Sequence, residues 1–474
     1  MRQTKVYRTL AAKLTFDVEA LACASYDKLK LIGHPAIDDL PMTSKDENNI
    51  DFAQSIESTD ALNANFYGRF QFPWIPAAFD TPTDPAFETV MLNQSLGSWD
   101  QSLIPAKPKI WVAGCGTNQA IFTALRFPNA TILGTDLSTT SLETSTITAR
   151  QLGISNVEFS RESINHATFE HEFDYVICTG VIHHNADPKA SLAKLSKALK
   201  PSGILELMVY NRYHRIETTA FQKAIRILAG TATEANFEVE MQIAQAIIAG
   251  FKMPNNMARF LENYKECPES RLADSLLQPI EYSFTIRSLE SLAASCNLEL
   301  LAPCINQFDI GSRNFTWNLE FDDSSVQTLY DSLSDSHRWQ VSNYLMLERS
   351  PMLWFYLQRT DSNRQRKSEK QLCEEFLEQK FMKSNTKKKV FIKSDDGNYV
   401  LSDRLRPYPG LHIDNLCSKI VALIANQPAT RLRDILEQLG VEAKFSLTNR
   451  LRLYLTTNAF PFLVARPEGH LNVI

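Results

Sequence analysis

Short apolar runs separated by polar, helix-spaced stretches fill the middle of this 474-residue chain. Ile110-Trp111-Val112-Ala113, Ile132-Leu133-Gly134, Tyr175-Val176-Ile177-Cys178 and Ile204-Leu205-Glu206-Leu207-Met208-Val209-Tyr210 read as buried strands. They predict strands near 109–113, 131–135, 174–178 and 204–210, with a further one near 156–159. Pro188 to Leu199 carries Leu192, Leu195 and Leu199 at helical spacing and stops at Lys200-Pro201-Ser202-Gly203. Alternation at this interval predicts an α/β fold with a parallel, doubly wound sheet. Ligands of such sheets sit beyond the carboxyl ends of the strands.

The first strand runs into Gly114-Cys115-Gly116-Thr117-Asn118, and a helix opens at about Thr117. Glycines let the backbone approach a ligand closely, and the helix start offers unpaired N–H groups and a positive dipole end. Asp136 lies 20 residues after Gly116, at the end of the second strand. A carboxylate there can accept hydrogen bonds from ribose hydroxyls. An adenosine-containing cofactor is therefore expected. A dinucleotide is disfavoured, because Gly114-Cys115-Gly116-Thr117-Asn118-Gln119 lacks the third glycine of G-x-G-x-x-G.

The segments VAGCGTN, GTDLS, FDYVICTGVIHHNADP and LKPSGILELMVYN together resemble the class I S-adenosylmethionine (SAM) dependent methyltransferases over about Lys109–Tyr210. The resemblance extends more loosely to about Gln358 and looks nearest to bacterial enzymes of poorly defined substrate. It implies a Rossmann-like, seven-stranded sheet and SAM as cofactor, with no metal. It implies cofactor contacts from Gly114, Cys115, Gly116, Thr117, Asn118, Asp136, Leu137, Ser163, Thr179 and Gly180. Acceptor contacts are expected from Tyr67, Arg69, Tyr210, Asn211 and Arg212. His183 and His184 either serve the transferred proton or only pack; adjacent in sequence, at most one is expected to face the site.

Around this core, residues 1–105 read as an N-terminal cap. It has a helix at about Val6 to Lys30 and an irregular connector at 34–64. Phe66 to Trp74 is an aromatic segment that either plugs the core or lines the site mouth, and Met91–Leu96 is expected to lid the cofactor. The methyltransferase core spans 106–361 with a helical insertion at about 211–280. It resumes over 282–302 with a strand, a helix from Ser288 and the strand Asn297–Leu301. Met352–Leu357 reads as the final, antiparallel strand. Ten basic and four acidic residues between Asn363 and Ser394 give a balance of +6, read as a basic linker. Residues 395–474 complete a small winged-helix-like module. It pairs a strand-turn-strand around Asp395-Asp396-Gly397-Asn398 with helices at 413–426, 430–438 and 446–456 and a strand at Phe460–Ala465. Arg450 and Arg452 sit in the last helix of a helix-turn-helix-like pair. A protein partner is favoured over nucleic acid there, and the module is expected to be dispensable for cofactor binding.

Composition adds exclusions. A net charge of −5 provides no global field towards nucleic acid or anionic membrane. Eight scattered cysteines form no C-x-x-C pair, which disfavours a zinc site or disulfide framework and suits a reducing cytoplasm. No apolar run is long enough to span a bilayer. Arg2, Lys5, Arg8 and Lys13 faintly resemble a transit peptide, but Asp17 and Glu19 favour a surface helix. Two functional readings follow: methyl transfer from SAM to an O or N acceptor on a small molecule or peptide, and a catalytically weak SAM-binding regulator acting through its C-terminal module. Val112 and Asn118, which depart from the common pattern, give room to the second.

Overall fold

The computed structural model describes residues 55–465 except 72, 74, 231–234, 313, 409–413 and 429. The expected helix Val6–Lys30, and Phe72 and Trp74 of the aromatic segment, lie outside the described residues.

Helix α1 (Ile56–Arg69) opens the described chain, capped by Ser55 in a reciprocal box with Ser58. It occupies part of the stretch expected to be an irregular connector. Its buried face is Thr59, Asp60, Asn63 and Phe66. Three of these four are polar, so hydrophobic periodicity cannot reveal the helix. Strand β1 (Ala78–Pro82) and helix α2 (Phe87–Ser95) follow. The expectation that Met91–Leu96 lids the cofactor is overturned. Leu92 and Leu96 pack with Ile104, Ile110 and Val112 against the sheet. Gln94 on the same helix donates to Thr456 O and Leu463 O at 3.1 and 2.8 Å and accepts from Ala465 N–H at 2.8 Å. Leu92 and Leu96 are thus spent on the sheet, while Met91 packs with Val464 and Gln94 bonds the far end of the chain.

The core runs β2 (Lys109–Ala113), α3 (Gln119–Arg126), β3 (Thr131–Asp136), α4 (Thr139–Gln151), β4 (Val157–Arg161), β5 (Phe173–Thr179), α5 (Pro188–Ala198) and β6 (Leu199–Val209). The insertion is helical, as expected: α6 (Ile216–Ala229), α7 (Phe237–Gly250), α8 (Asn256–Glu262) and α9 (Glu269–Leu276). Phe66 of α1 and Phe70, which caps its end, pack into it, edge-on to Phe237 at 5.1 and 6.4 Å. Residues near 282 form only an isolated bridge, Asn211 to Phe284, rather than a strand. Then come α10 (Ile286–Ala294), β7 (Leu298–Pro303), α11 (Gln307–Ser312), α12 (Ser324–Ser332), α13 (Asp335–Met346) and β8 (Leu353–Arg359).

The strands form one seven-stranded sheet in the order β4-β3-β2-β5-β6-β8-β7, with β8 antiparallel to both neighbours. Successive residues of each strand alternate between two cores. Trp111, Val176, Leu205 and Phe355 face one layer, and Ile110, Val112, Tyr175 and Tyr356 face the other.

Beyond β8, the segment read as a linker is built into the structure. Helix α14 (Glu369–Glu378), β9 (Phe381–Lys383) and β10 (Lys387–Lys393) precede β11 (Tyr399–Leu401), β12 (Arg406–Pro407), α15 (Asn415–Asn426), α16 (Leu432–Gln438), α17 (Phe445–Thr456) and β13 (Leu463–Ala465). The three C-terminal helices and last strand fall where expected, and β13 pairs with β9. The strand-turn-strand pairs elsewhere: β10 joins β1, Ala78 opposite Ile392. Arg452 is buried and donates to Asn449 Oδ1 at 2.9 Å, so it is not offered to nucleic acid. Trp99, Phe376, Phe381, Ile420, Leu432 and Leu451 share one core.

That packing reverses the expectation that the module is dispensable. Deleting residues 395–474 would remove the three backbone partners of Gln94 and uncover Trp99, Phe376 and Phe381. The truncated chain should lose its cooperative thermal transition; a wild-type melting profile would show that the sheet stands alone.

Candidate functional site

The loops at the carboxyl ends of β2, β3 and β5 meet at the glycine turn. Gly114 and Gly116 have φ of +69° and +54°. A Cβ on Gly114 would stand 2.6 Å from Val181 Cγ2, so only glycine fits. Cys115 N–H donates to Thr135 O at 2.9 Å, and burial raises the proton affinity of its thiol. Asn118, buried, is the N-cap residue of α3, and Thr117 Oγ1 donates to the carbonyl of Pro73. Asp136 ties the turn to the next loop: Oδ2 accepts Gly116 N–H and Oδ1 accepts Ser138 N–H, each at 2.8 Å. Burial holds its carboxyl above the usual range, opposed by those amides. Leu137 is half-buried and its carbonyl accepts from Arg161 at 3.3 Å. Thr179 Oγ1 donates to Gln119 Oε1 at 2.8 Å, and Gly180 N–H donates to Met208 O at 3.2 Å.

Helix α1 crosses over these strand ends. Ser163 Oγ donates to Asp60 Oδ2 at 2.5 Å, and Asn165 Nδ2 donates to Asp60 Oδ1 at 3.2 Å. One turn on, Asn63 Nδ2 donates to His184 O at 2.8 Å. Another turn on, Tyr67 OH donates to Asp274 Oδ1 at 3.3 Å. Along this line several buried polar atoms have no partner among the described residues: Thr59 Oγ1, Asn63 Oδ1, both ring nitrogens of His183, His184 Nε2 and Gln278 Oε1. Buried polar groups are nearly always paired, so their gathering marks a place shaped for a ligand's polar atoms. The cofactor implied by the fold fits there on that ground.

The histidines differ from expectation. They belong to a 3-10 turn, Ile182–His184, rather than a strand, so both rings are buried side by side at 4.2 Å. Tyr210 lies 3.9 Å from His183 and 5.2 Å from His184, centroid to centroid. His184 Nδ1 lies 2.7 Å from Ile280 O, which fixes the proton on that nitrogen. Burial lowers the His184 pKa to about 4, and burial with His184 alongside pushes His183 well below the ordinary value. Asn211 is consumed structurally: Nδ2 donates to Ser350 Oγ at 2.8 Å and Oδ1 accepts from Asn343 at 3.2 Å. Arg212 is exposed and its N–H donates to Phe284 O. Arg69 is exposed at the lip of a cleft. Tyr67 and Tyr210 are the two acceptor candidates that the fold brings together beside the histidines.

Sequence reasoning did not single out Asp60, Asn63, Arg215, Asp274 or Glu281. Arg215 grips Glu281 with two bonds of 2.7 and 2.6 Å and lies over the Tyr210 ring at 4.3 Å. The charge pair is legible only in three dimensions, because Glu281 lies a whole helical insertion away from Arg215. Among the described residues, no group of His, Cys, Asp and Glu could hold a metal ion, and no helix is long and apolar enough to cross a membrane.

The neutral imidazoles make stability pH-dependent. The unfolded chain protonates His184 near ~6.5, whereas the fold resists until about 4. Stability is therefore complete above the unfolded value and is lost as pH falls through that window. His184→Gln should show a shallower fall in melting temperature between neutral pH and the acid limit; an unchanged slope would remove His184 from the balance.

A family model described as a methyltransferase domain matches residues 113–263. An uncharacterised protein of Synechococcus sp. is 29% identical over 252 residues, covering 51% of this chain and 57% of that protein. A tRNA U34 carboxymethyltransferase of Campylobacter curvus is 30% identical over 140 residues, covering 26% of this chain and 46% of that protein. The chain thus spans about half the length of these curated relatives. The structure of PKMT2 from Rickettsia typhi in complex with AdoHcy shares the fold, with a TM-score of 0.52 at 14% identity over 80% of this chain and 76% of that one. The chain therefore carries a methyltransferase domain at residues 113–263, which opens at the glycine turn and is built on a sheet in which β8 alone is reversed.

Proposed function

We propose that this protein transfers the methyl group of SAM to an O or N acceptor on a small molecule or peptide. The supporting observation is the row of unpartnered buried polar atoms under α1, lying between the glycine turn and the Tyr67–Tyr210 pair. When bound, SAM supplies an activated methyl on a sulfonium. The protein contributes orientation and proximity.

In this reading Asp136 takes the ribose hydroxyls with the lone pairs its two amide bonds leave free. The turn 114–118 cradles the methionine end together with Thr179 and Gly180. Asp60 holds Ser163 and Asn165 in place beside the adenine side. Leu137 flanks the ribose. Helix α1 excludes water over the whole length, which strengthens each charge–dipole contact beneath it. Tyr67 and Tyr210 present aromatic walls to the acceptor, and His183 and His184 complete the wall in neutral form. With its proton on Nδ1 and a pKa near 4, His184 is a weak base at neutral pH. The C-terminal module serves as a brace and a surface for a protein partner, and the cysteine chemistry suits the cytoplasm.

One variant tests the cofactor half. Gly114→Ala forces a side chain to within 2.6 Å of Val181 at a positive φ; calorimetry should show AdoHcy affinity falling by at least about tenfold, about 1.4 kcal/mol, and unchanged affinity would contradict the cradle. For the acceptor half, methyl-labelled SAM is added to a lysate of the native cell, fractionated into small molecules, protein and nucleic acid. Label should appear with wild-type protein and not with Asp136→Ala. Label confined to nucleic acid would replace the proposed acceptor class, and SAM binding without any transfer would favour the regulatory alternative.

A further inference from the structure

Helix α1 lies outside the matched residues 113–263, yet unpartnered buried atoms gather along its polar face. On that face Asp60 is 7% exposed, and among the described residues no ion pair forms to it. A buried carboxylate without a cation needs hydrogen-bond donors instead. Those present are oriented by a relay. Asn185 Nδ2 donates to Ser191 Oγ at 3.0 Å, and Ser191 Oγ makes its shorter bond, 2.7 Å, to Asn165 Oδ1. Asn165 Nδ2 then donates to Asp60 Oδ1 at 3.2 Å. On the other oxygen, Ser163 Oγ accepts Asn165 N–H at 3.1 Å and gives its own proton to Asp60 Oδ2. Every bond points towards the carboxylate, and such chains polarise one another. Asp60 is thereby held as an acceptor at both oxygens. An ionised carboxylate has about four lone-pair sites, so room remains for a partner that brings an N–H or O–H.

The order of the strands says which partner this is. Glu162, next to Ser163, donates its N–H to Asp136 O at 3.2 Å. Asp60 therefore stands just past the end of β4, the edge strand, one place outward from Asp136 on β3. From there α1 runs back across the sheet. Asn63 reaches the loop after β5 through His184 O, and Tyr67 reaches Asp274 in the insertion. Asp60 and Tyr67 are separated by about 10 Å of helix axis. In the methyltransferase reading the ribose lies at Asp136, and the methionine end lies inward at the glycine turn and Thr179. The base is attached on the opposite side of the ribose, so it is directed outward, towards β4 and Asp60.

Resting on that reading, we propose that Asp60 accepts a hydrogen bond from the exocyclic amino group of the cofactor's adenine. Cofactor selection is then completed by a helix that precedes the matched domain, not by the domain alone. Adenine carries its donor at the 6-amino group, and its ring nitrogens only accept. A carboxylate kept as an acceptor can meet that edge through the amino group and through nothing else on it. The bound cofactor becomes a bridge from α1 to the end of β3, with Asp60 at the base and Asp136 at the ribose.

The test needs no identified methyl acceptor. Calorimetric titration of the full-length protein compares AdoHcy with its 6-deamino analogue, which keeps the ring nitrogens and lacks only the amino group. Wild type should bind AdoHcy about 10–150-fold more tightly, as expected for a hydrogen bond to a charged group. Asp60→Asn keeps the shape and removes the charge, and it should shrink that ratio about five- to tenfold. If Asp60 merely braces α1, its loss weakens both ligands alike and leaves the ratio intact, which would overturn the proposal. Equal affinity of wild type for the two ligands would overturn it as well. Should Asp60→Asn lose its thermal transition, the ratio is read in Asp60→Glu, whose carboxylate is displaced by one methylene. There too it should shrink, and an unchanged ratio would remove Asp60 from the base contact. Failure of wild-type protein to bind AdoHcy at all would instead overturn the methyltransferase reading on which the proposal rests.

Discussion

The hydrogen bond from Gly116 N–H to Asp136 is the contact on which the site depends. It joins the ends of two neighbouring parallel strands, and its other oxygen holds Ser138 at the start of the next helix. A carboxylate accepting two backbone amides is anchored by charge-assisted bonds, which are stronger than neutral ones. That anchoring keeps Gly114 in its left-handed turn against Val181 and sets where a ligand's backbone contacts can lie. Everything stacked above, from Thr117 on Pro73 to α1 on Ser163, takes its position from this clamp.

Above it lies a second layer whose physics is opposite. The sheet buries apolar side chains; α1 buries Thr59, Asp60 and Asn63. Polar burial without full pairing costs free energy, and here it is concentrated where a ligand would relieve it. The insertion supplies the other wall, and its charges are arranged by pairing. Arg215 with Glu281 is internally neutral, which leaves Asp274 as the carboxylate whose protonation is governed mainly by burial.

The residues that repeat with a clear period were legible in the sequence. The strands at 109–113, 131–136 and 173–179, the helix from Pro188, the reversed strand at 353–359 and the acid at 136 all announce themselves through apolar runs and a glycine turn. Helix α1 does not, because its buried face is polar. The histidine pair was misjudged through strand geometry; a 3-10 turn puts both rings on the same side of Tyr210. The hairpin over 387–401 was placed in time but not in space, since nothing local in Lys387-Lys388-Lys389 states that its partner is Ala78–Pro82. Asp274 looks like any acid on an amphipathic helix until Tyr67 arrives from some two hundred positions earlier.

That late pairing has a consequence for how the protein is made. Strand β1 remains an unpaired edge until β10 emerges, and Gln94 cannot complete its bonds until Ala465 does. Contacts of such sequence separation carry a large loop-closure cost before they repay it. Synthesis would therefore pass beyond β8 with the strands of the sheet already made but its flank open. Closure waits for residues 387–465, and the exposed edge in that interval is the feature most in need of shielding from other chains.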